Sequence, residues 1–226
     1  MTADALVTRH AGAWQAATVH PFLAGVRDGS VPEDSFDRWL AQDYLFAQAL
    51  VRAQSRIAAG APFADIGLLA GGVVAAVGEL SWFEEMAARR GVALDAATHP
   101  ANRAYCDFLL ALTYAAYPVQ ITAIWALERT YLEGWEAARP GAQPYREFVE
   151  RWTTDGFRSH VGDLQAAVDR QLEASVGDQA RAAEDAFVWV TPPCRRRWAA
   201  PGIKTGTTRR PVDGHQPRSA IKPRGL

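Results

Sequence analysis

An all-α protein, a bundle of seven or eight helices, is what this 226-residue sequence predicts, and three observations carry the prediction. Apolar residues recur at spacings of three and four along most of the first 190 positions. Helix start and stop signals punctuate that pattern at regular intervals. No segment alternates apolar and polar residues as a half-buried strand would.

The elements follow in order. Ala5–Val26 carries helical periodicity and ends near Asp28-Gly29. Ser30-Val31-Pro32-Glu33 is a start signal, with Ser30 as cap, Pro32 in the first turn and Glu33 completing a capping box. That helix should run to about Ala59, where Gly60-Ala61-Pro62 stops it. The next spans about Phe63 to Arg90, with Gly91 as its C-terminal stop. Thr98-His99-Pro100 opens another that ends near Tyr117-Pro118, and Val119 to Ala138 follows. Pro144 to Trp152 and Thr154 to Ala174 come next, and Asp178 caps a last helix, apolar at Ala182, Ala186 and Val190. From about Pro192 the chain is rich in Pro, Gly and Arg without a period, which predicts a disordered basic tail and a break at Pro192-Pro193.

Charge divides the chain at the same place. Residues 1–189 hold 15 Arg, no Lys and 24 acids, a net charge of about -9, whereas residues 190–226 hold nine basic residues and one acid, about +8. The domain is therefore read as 1–190 and the compositionally foreign tail as 191–226. An acidic body opposes nucleic acid as a partner. No uninterrupted apolar run reaches 18 residues and the first residues lack a basic-then-apolar leader, so neither a membrane partner nor secretion is expected. Two cysteines, Cys106 and Cys194, make no disulfide framework, and the cytoplasm is the expected location.

Metal and nucleotide chemistry find little support. None of the five histidines has Asp or Glu three residues before it, as a di-iron bundle would want, so no metal and no cofactor is expected. Gly71-Gly72 fits neither a phosphate loop nor a dinucleotide fingerprint. What stands out is polar residues on inward faces. Phe36, Leu40, Asp43, Ala47 and Leu50 share one helix face, so a carboxylate points into the core. Glu128 does the same on the stripe Ile121, Ile124, Glu128, Tyr131, Trp135, and Tyr105 lies on such a face with Phe108, Leu109 and Leu112. Two readings are open: structural ion pairs with buried arginines such as Arg52 or Arg129, or a small polar cavity walled by aromatics. Such a cavity suits a flat, nitrogen-rich ring.

Four segments carry a family resemblance. HPFLAGVRDGSVPEDSFDRWLAQDYLF (20–46, with Trp14 ahead of it), GELSWFEEMAARRGVAL (78–94), AYCDFLLALTYAAYPVQITAIWALERTYLEGW (104–135) and FVERWTTDGFRSHV (148–161) resemble, in order, the TenA or thiaminase II family. The resemblance implies a haem-oxygenase-like bundle, usually a homotetramer, that hydrolyses the C–N bond at the aminomethyl carbon of the thiamine pyrimidine. It implies that Asp43 binds the pyrimidine, with Phe46, Tyr105 and Tyr131 around the ring. The thiaminase branch places a catalytic cysteine between 125 and 131; none is there, and either Glu128 or Leu127 takes its position. Glu128 is preferred, which resembles the branch that favours amino- and formylamino-pyrimidines over thiamine; Cys106 is a weaker substitute. The family's C-terminal catalytic glutamate is replaced by Cys194, and Glu184 lies about three turns too early. Rival implications are a PqqC-like oxidase on the same scaffold and a catalytically impaired, pyrimidine-binding or regulatory homologue.

Overall fold

The start and stop signals set the element order. The structure, a computed structural model, describes residues 1–198, with side chains through Thr191. Among these residues there are ten helices and no strands: α1 (Ala3–Arg9), α2 (Ala11–Thr18), α3 (Pro21–Asp28), α4 (Glu33–Gly60), α5 (Phe63–Arg90), α6 (Pro100–Leu112), α7 (Tyr117–Ala137), α8 (Arg146–Arg151), α9 (Asp155–Ala174) and α10 (Asp178–Trp198).

The all-α expectation holds, and the differences are local. The single helix expected over Ala5–Val26 is three helices. Pro21 opens α3, and the His20 Nδ1 accepts the Phe22 N–H at 3.1 Å, so the imidazole caps a new start. His10 forms the joint between α1 and α2. Ser30 does not cap α4; Pro32 stands at the cap position, and the Ser30 N–H instead donates to Asp28 Oδ1 at 2.9 Å. Thr154 does cap α9, accepting from the Phe157 N–H.

The expected break at Pro192-Pro193 is also corrected, because α10 continues to Trp198. A proline at 192 cannot donate to the Val188 carbonyl four residues back. The Thr191 hydroxyl donates to that carbonyl at 2.9 Å and supplies the missing bond. The tail from 199 onward, and the side chains of Cys194 and Trp198, lie outside the described residues.

α4 and α5 run antiparallel through the turn at Ala61-Pro62. Their register is set by Arg90–Asp37 at 2.6 Å, Tyr44–Glu84 at 2.8 Å and Gln54 Nε2 to the Leu69 carbonyl at 3.2 Å. α7 packs against α10 and α9, its N-terminal Tyr117 donating to the buried Asp65 at the start of α5. Two apolar clusters result. One gathers Phe46, Leu50, Leu109, Ile124, Leu127, Leu164 and Phe187. The other is aromatic, with Trp39 touching Phe22, Phe36, Trp135, Phe148 and Trp152.

Close approach fixes Gly25. A Cβ on Gly25 would meet the Val31 backbone nitrogen at 2.9 Å, where the chain doubles back from α3. Gly25→Ala should destabilise the protein by about 1–3 kcal/mol, read as a lower urea midpoint.

α5 contains no unbroken apolar run of 18 residues, yet its mean hydropathy over an 18-residue stretch is high enough, by length and composition alone, for a span. Glu79 interrupts that stretch and Phe63, Val74 and Val77 stand exposed at 92%, 73% and 48%.

Candidate active site

The two apolar clusters do not close completely on each other. Between them lies a cavity of about 360 Å³. Phe46, Leu50 and Leu127 reach it from one cluster, and Ala47, Phe83, Tyr131 and Trp152 from the other.

Asp43 is at this seam, 2% exposed. It arrives there through helix phase: α4 buries Phe36, Leu40, Ala47 and Leu50 on the same face. The Tyr131 phenol, from antiparallel α7, donates to Asp43 Oδ2 at 2.8 Å. This bond stabilises a carboxylate that burial would otherwise penalise by several kcal/mol. Tyr131→Phe should therefore cost about 1–3 kcal/mol of stability, measurable by chemical denaturation.

Glu128 also lines the cavity, one helical turn before Tyr131. Leu127 lines it too, so both candidates for the cysteine position reach the wall, and only Glu128 brings an ionisable group. The two arginines named from sequence have bonds to other groups. Arg129 bonds Asp4, Glu133 and Gln165, and Arg52 donates to the Gln48 carbonyl. Phe46 is in the wall. Tyr105 is not; it sits behind Phe46, ring centroids 4.8 Å apart, and touches Trp189 of α10.

The substitute groups weighed from sequence lie apart from this wall. Cys106 on α6 has its sulfur 3.9 Å from Asn102 Oδ1. Glu184 is held by Arg9 at 2.8 Å and His10 at 2.7 Å; the Arg9 bond first, then the His10 bond, draws its carboxyl below the usual range. Among the described residues no three His, Cys, Asp or Glu side chains gather as a metal-holding group.

Sequence reasoning missed half of the cavity. α5 contributes Gly72, Ala76, Glu79 and Phe83, which lie at i, i+4, i+7 and i+11. The α8–α9 corner contributes Arg151, Trp152, Phe157 and His160. The Arg151 Nε donates to both Glu79 oxygens at 3.1 and 3.0 Å, and the Trp152 indole donates to Glu79 Oε2 at 3.0 Å. The Arg151 guanidinium also stacks 4.6 Å over Trp82. Glu79 is thus a rim tie between α5 and the α8–α9 corner. The wall carries three acids, Asp43, Glu79 and Glu128, against one arginine. A flat ligand rich in N–H donors, or a cation, matches that charge.

The sequence pattern of the TENA/THI-4/PQQC family matches residues 7–192, nearly all of the helical body. The chain belongs to this family. A probable bifunctional TENA-E protein from Glycine max is 32% identical over 188 residues, covering 78% of this chain and 82% of that protein. Among solved structures, the TenA homologue from Pyrococcus furiosus superposes with a TM-score of 0.85 at 22% identity, covering 88% of this chain and 99% of its own. A putative TenA-like thiaminase from Sulfolobus solfataricus gives a TM-score of 0.76 at 17% identity, covering 87% and 93%. At those identities the structural likeness speaks for the fold alone, and that fold is the haem-oxygenase-like bundle of the TenA homologues.

Proposed function

We propose that the chain is a thiamine-pyrimidine salvage hydrolase of the aminopyrimidine aminohydrolase type. It would release ammonia from an aminomethyl-pyrimidine, or formamide from a formylaminomethyl-pyrimidine, and leave the hydroxymethyl-pyrimidine. Membership of the TENA/THI-4/PQQC family supports thiamine salvage as the setting, and the neighbour named as a TenA-like thiaminase points the same way. The observation that carries the finer reading is the buried Asp43 carboxylate, bonded to Tyr131 on the wall of a mostly aromatic and aliphatic cavity.

In this reading Asp43 accepts hydrogen bonds from the ring amino group and the neighbouring protonated ring nitrogen. Phe46 and Tyr131 pack against the ring, and Tyr105 backs Phe46. Glu128 takes a proton from water as the water oxygen bonds to the exocyclic methylene and the C–N bond breaks. The nitrogen keeps the bonding pair, and the proton held by Glu128 passes to the departing amine. A glutamate at this position favours water as the attacking group, since no thiol is there to form a covalent intermediate.

The acidic wall suits a substrate that arrives as an ammonium. The exposed Phe63, Val74 and Val77 of α5 support self-association as a dimer or tetramer, and a monomeric mass by light scattering would refute it. The function itself is tested by incubating the purified chain with the aminomethyl and formylaminomethyl pyrimidines. Ammonia and the hydroxymethyl product are expected from the first; no turnover of either sinks the reading.

A further inference from the structure

One cavity residue is unused by the scheme above. His160 of α9 lines the wall, and among the described residues its imidazole makes no hydrogen bond or ion pair. It is half-buried. Its place is defined by Gly72. A Cβ there would collide with Gln54 Nε2 and lie 3.2–3.3 Å from the His160 ring, so α5 presents bare backbone to make room for both side chains.

Gln54 and Asp43 are on the same helix, eleven residues apart, which is roughly 16 Å along the axis. The antiparallel register places Glu79 and Phe83 of α5 toward the Asp43 end and Gly72 toward the Gln54 end. Tyr131 and Glu128 likewise step away from Asp43 along α7, because Tyr131 meets Asp43 while Tyr117 meets Asp65 at the opposite end of the bundle. The cavity is therefore elongated, running from Asp43 past Glu128 to His160. A six-membered ring with a one-carbon arm, anchored at Asp43, spans less than half of that axis.

We propose that His160 is a specificity-determining residue that reads the leaving group: it hydrogen-bonds a neutral polar substituent, an acyl group, carried on the scissile nitrogen. This rests on the pyrimidine reading of the Asp43 end. The wall beyond Glu128 is Leu50, Gly72, Phe157 and His160, apolar apart from the imidazole, which selects against a charged substituent. Burial pushes the imidazole below its ordinary value, with Asp163 on the same helix acting the other way. At neutral pH the ring is uncharged, with one N–H to donate and one nitrogen to accept. An amide substituent matches that pair.

The test is a specificity ratio. The aminomethyl-pyrimidine and its N-formyl derivative are the short and long probes, with kcat and KM measured for both on the full chain. In His160→Ala the ratio of kcat/KM, long over short, should fall about tenfold, chiefly through a higher KM for the long probe, as the loss of one buried hydrogen bond predicts. His160→Gln, which keeps a donor and an acceptor, should recover most of the ratio. An unchanged ratio in His160→Ala overturns the inference, as does an equal loss for both probes. If the wild-type chain hydrolyses both and the ratio stays constant, only this inference fails. If it binds neither by calorimetry, the pyrimidine reading fails and takes the inference with it.

Discussion

Asp43→Asn is expected to weaken aminopyrimidine binding by about 100-fold or more while leaving the helices intact. Two charge-assisted hydrogen bonds to the carboxylate are at stake, each of about 1.5–3 kcal/mol. The asparagine carbonyl can still accept from Tyr131, so the buried phenol keeps its partner. Removing a buried charge also lifts a desolvation penalty, so the thermal midpoint should stay level or rise. Calorimetry with the aminomethyl-pyrimidine reads the loss directly. Wild-type affinity in the variant would show that the ring sits elsewhere.

The second large effect is expected at Glu128. Glu128→Gln keeps the side chain's shape but cannot take a proton from water, so kcat should drop by about 10²–10⁴-fold. KM should move by only a few-fold, because in the proposed reading Asp43 and the aromatic wall residues, not Glu128, hold the ring. The split between kcat and KM is the diagnostic. A loss carried entirely by KM would make Glu128 a binding group and would leave the proton-transfer step without its residue.

Much of the bundle can be read from residue spacing, and the reasons for the gaps are physical. The long helices α4 and α5 come out within a residue or two, since Pro32, Gly60-Ala61-Pro62 and Gly91 each act through local backbone chemistry. The N-terminal region does not, because periodicity alone cannot distinguish one helix from three that each bury an apolar face: α1 and α2 in one cluster and, past the His20 joint, α3 in the other. Asp43 is legible from phase, but phase says only that a side chain points inward. It cannot say toward which part of the interior. Tyr105 shows the difference: it is 1% exposed, as its stripe predicts, yet it packs behind Phe46 instead of on the cavity. Glu79 and Arg151 are illegible for another reason. Their pairing joins residues 72 positions apart, and only the docking of the α8–α9 corner against α5 brings them together. His160 is illegible as a cavity residue because its neighbours there, a bare glycine of α5 and a glutamine of α4, are distant in sequence and hold no metal ligand.

Because the cavity is the joint between two separately packed bodies of side chains, whatever fills it acts as a keystone. An occupant touching both sides stiffens the whole fold against heat, by about 2.7 kcal/mol when present at a hundred times its dissociation constant. Melting curves recorded across a panel of heterocycles would then rank occupants by fit, with no need to know in advance which bond is cut.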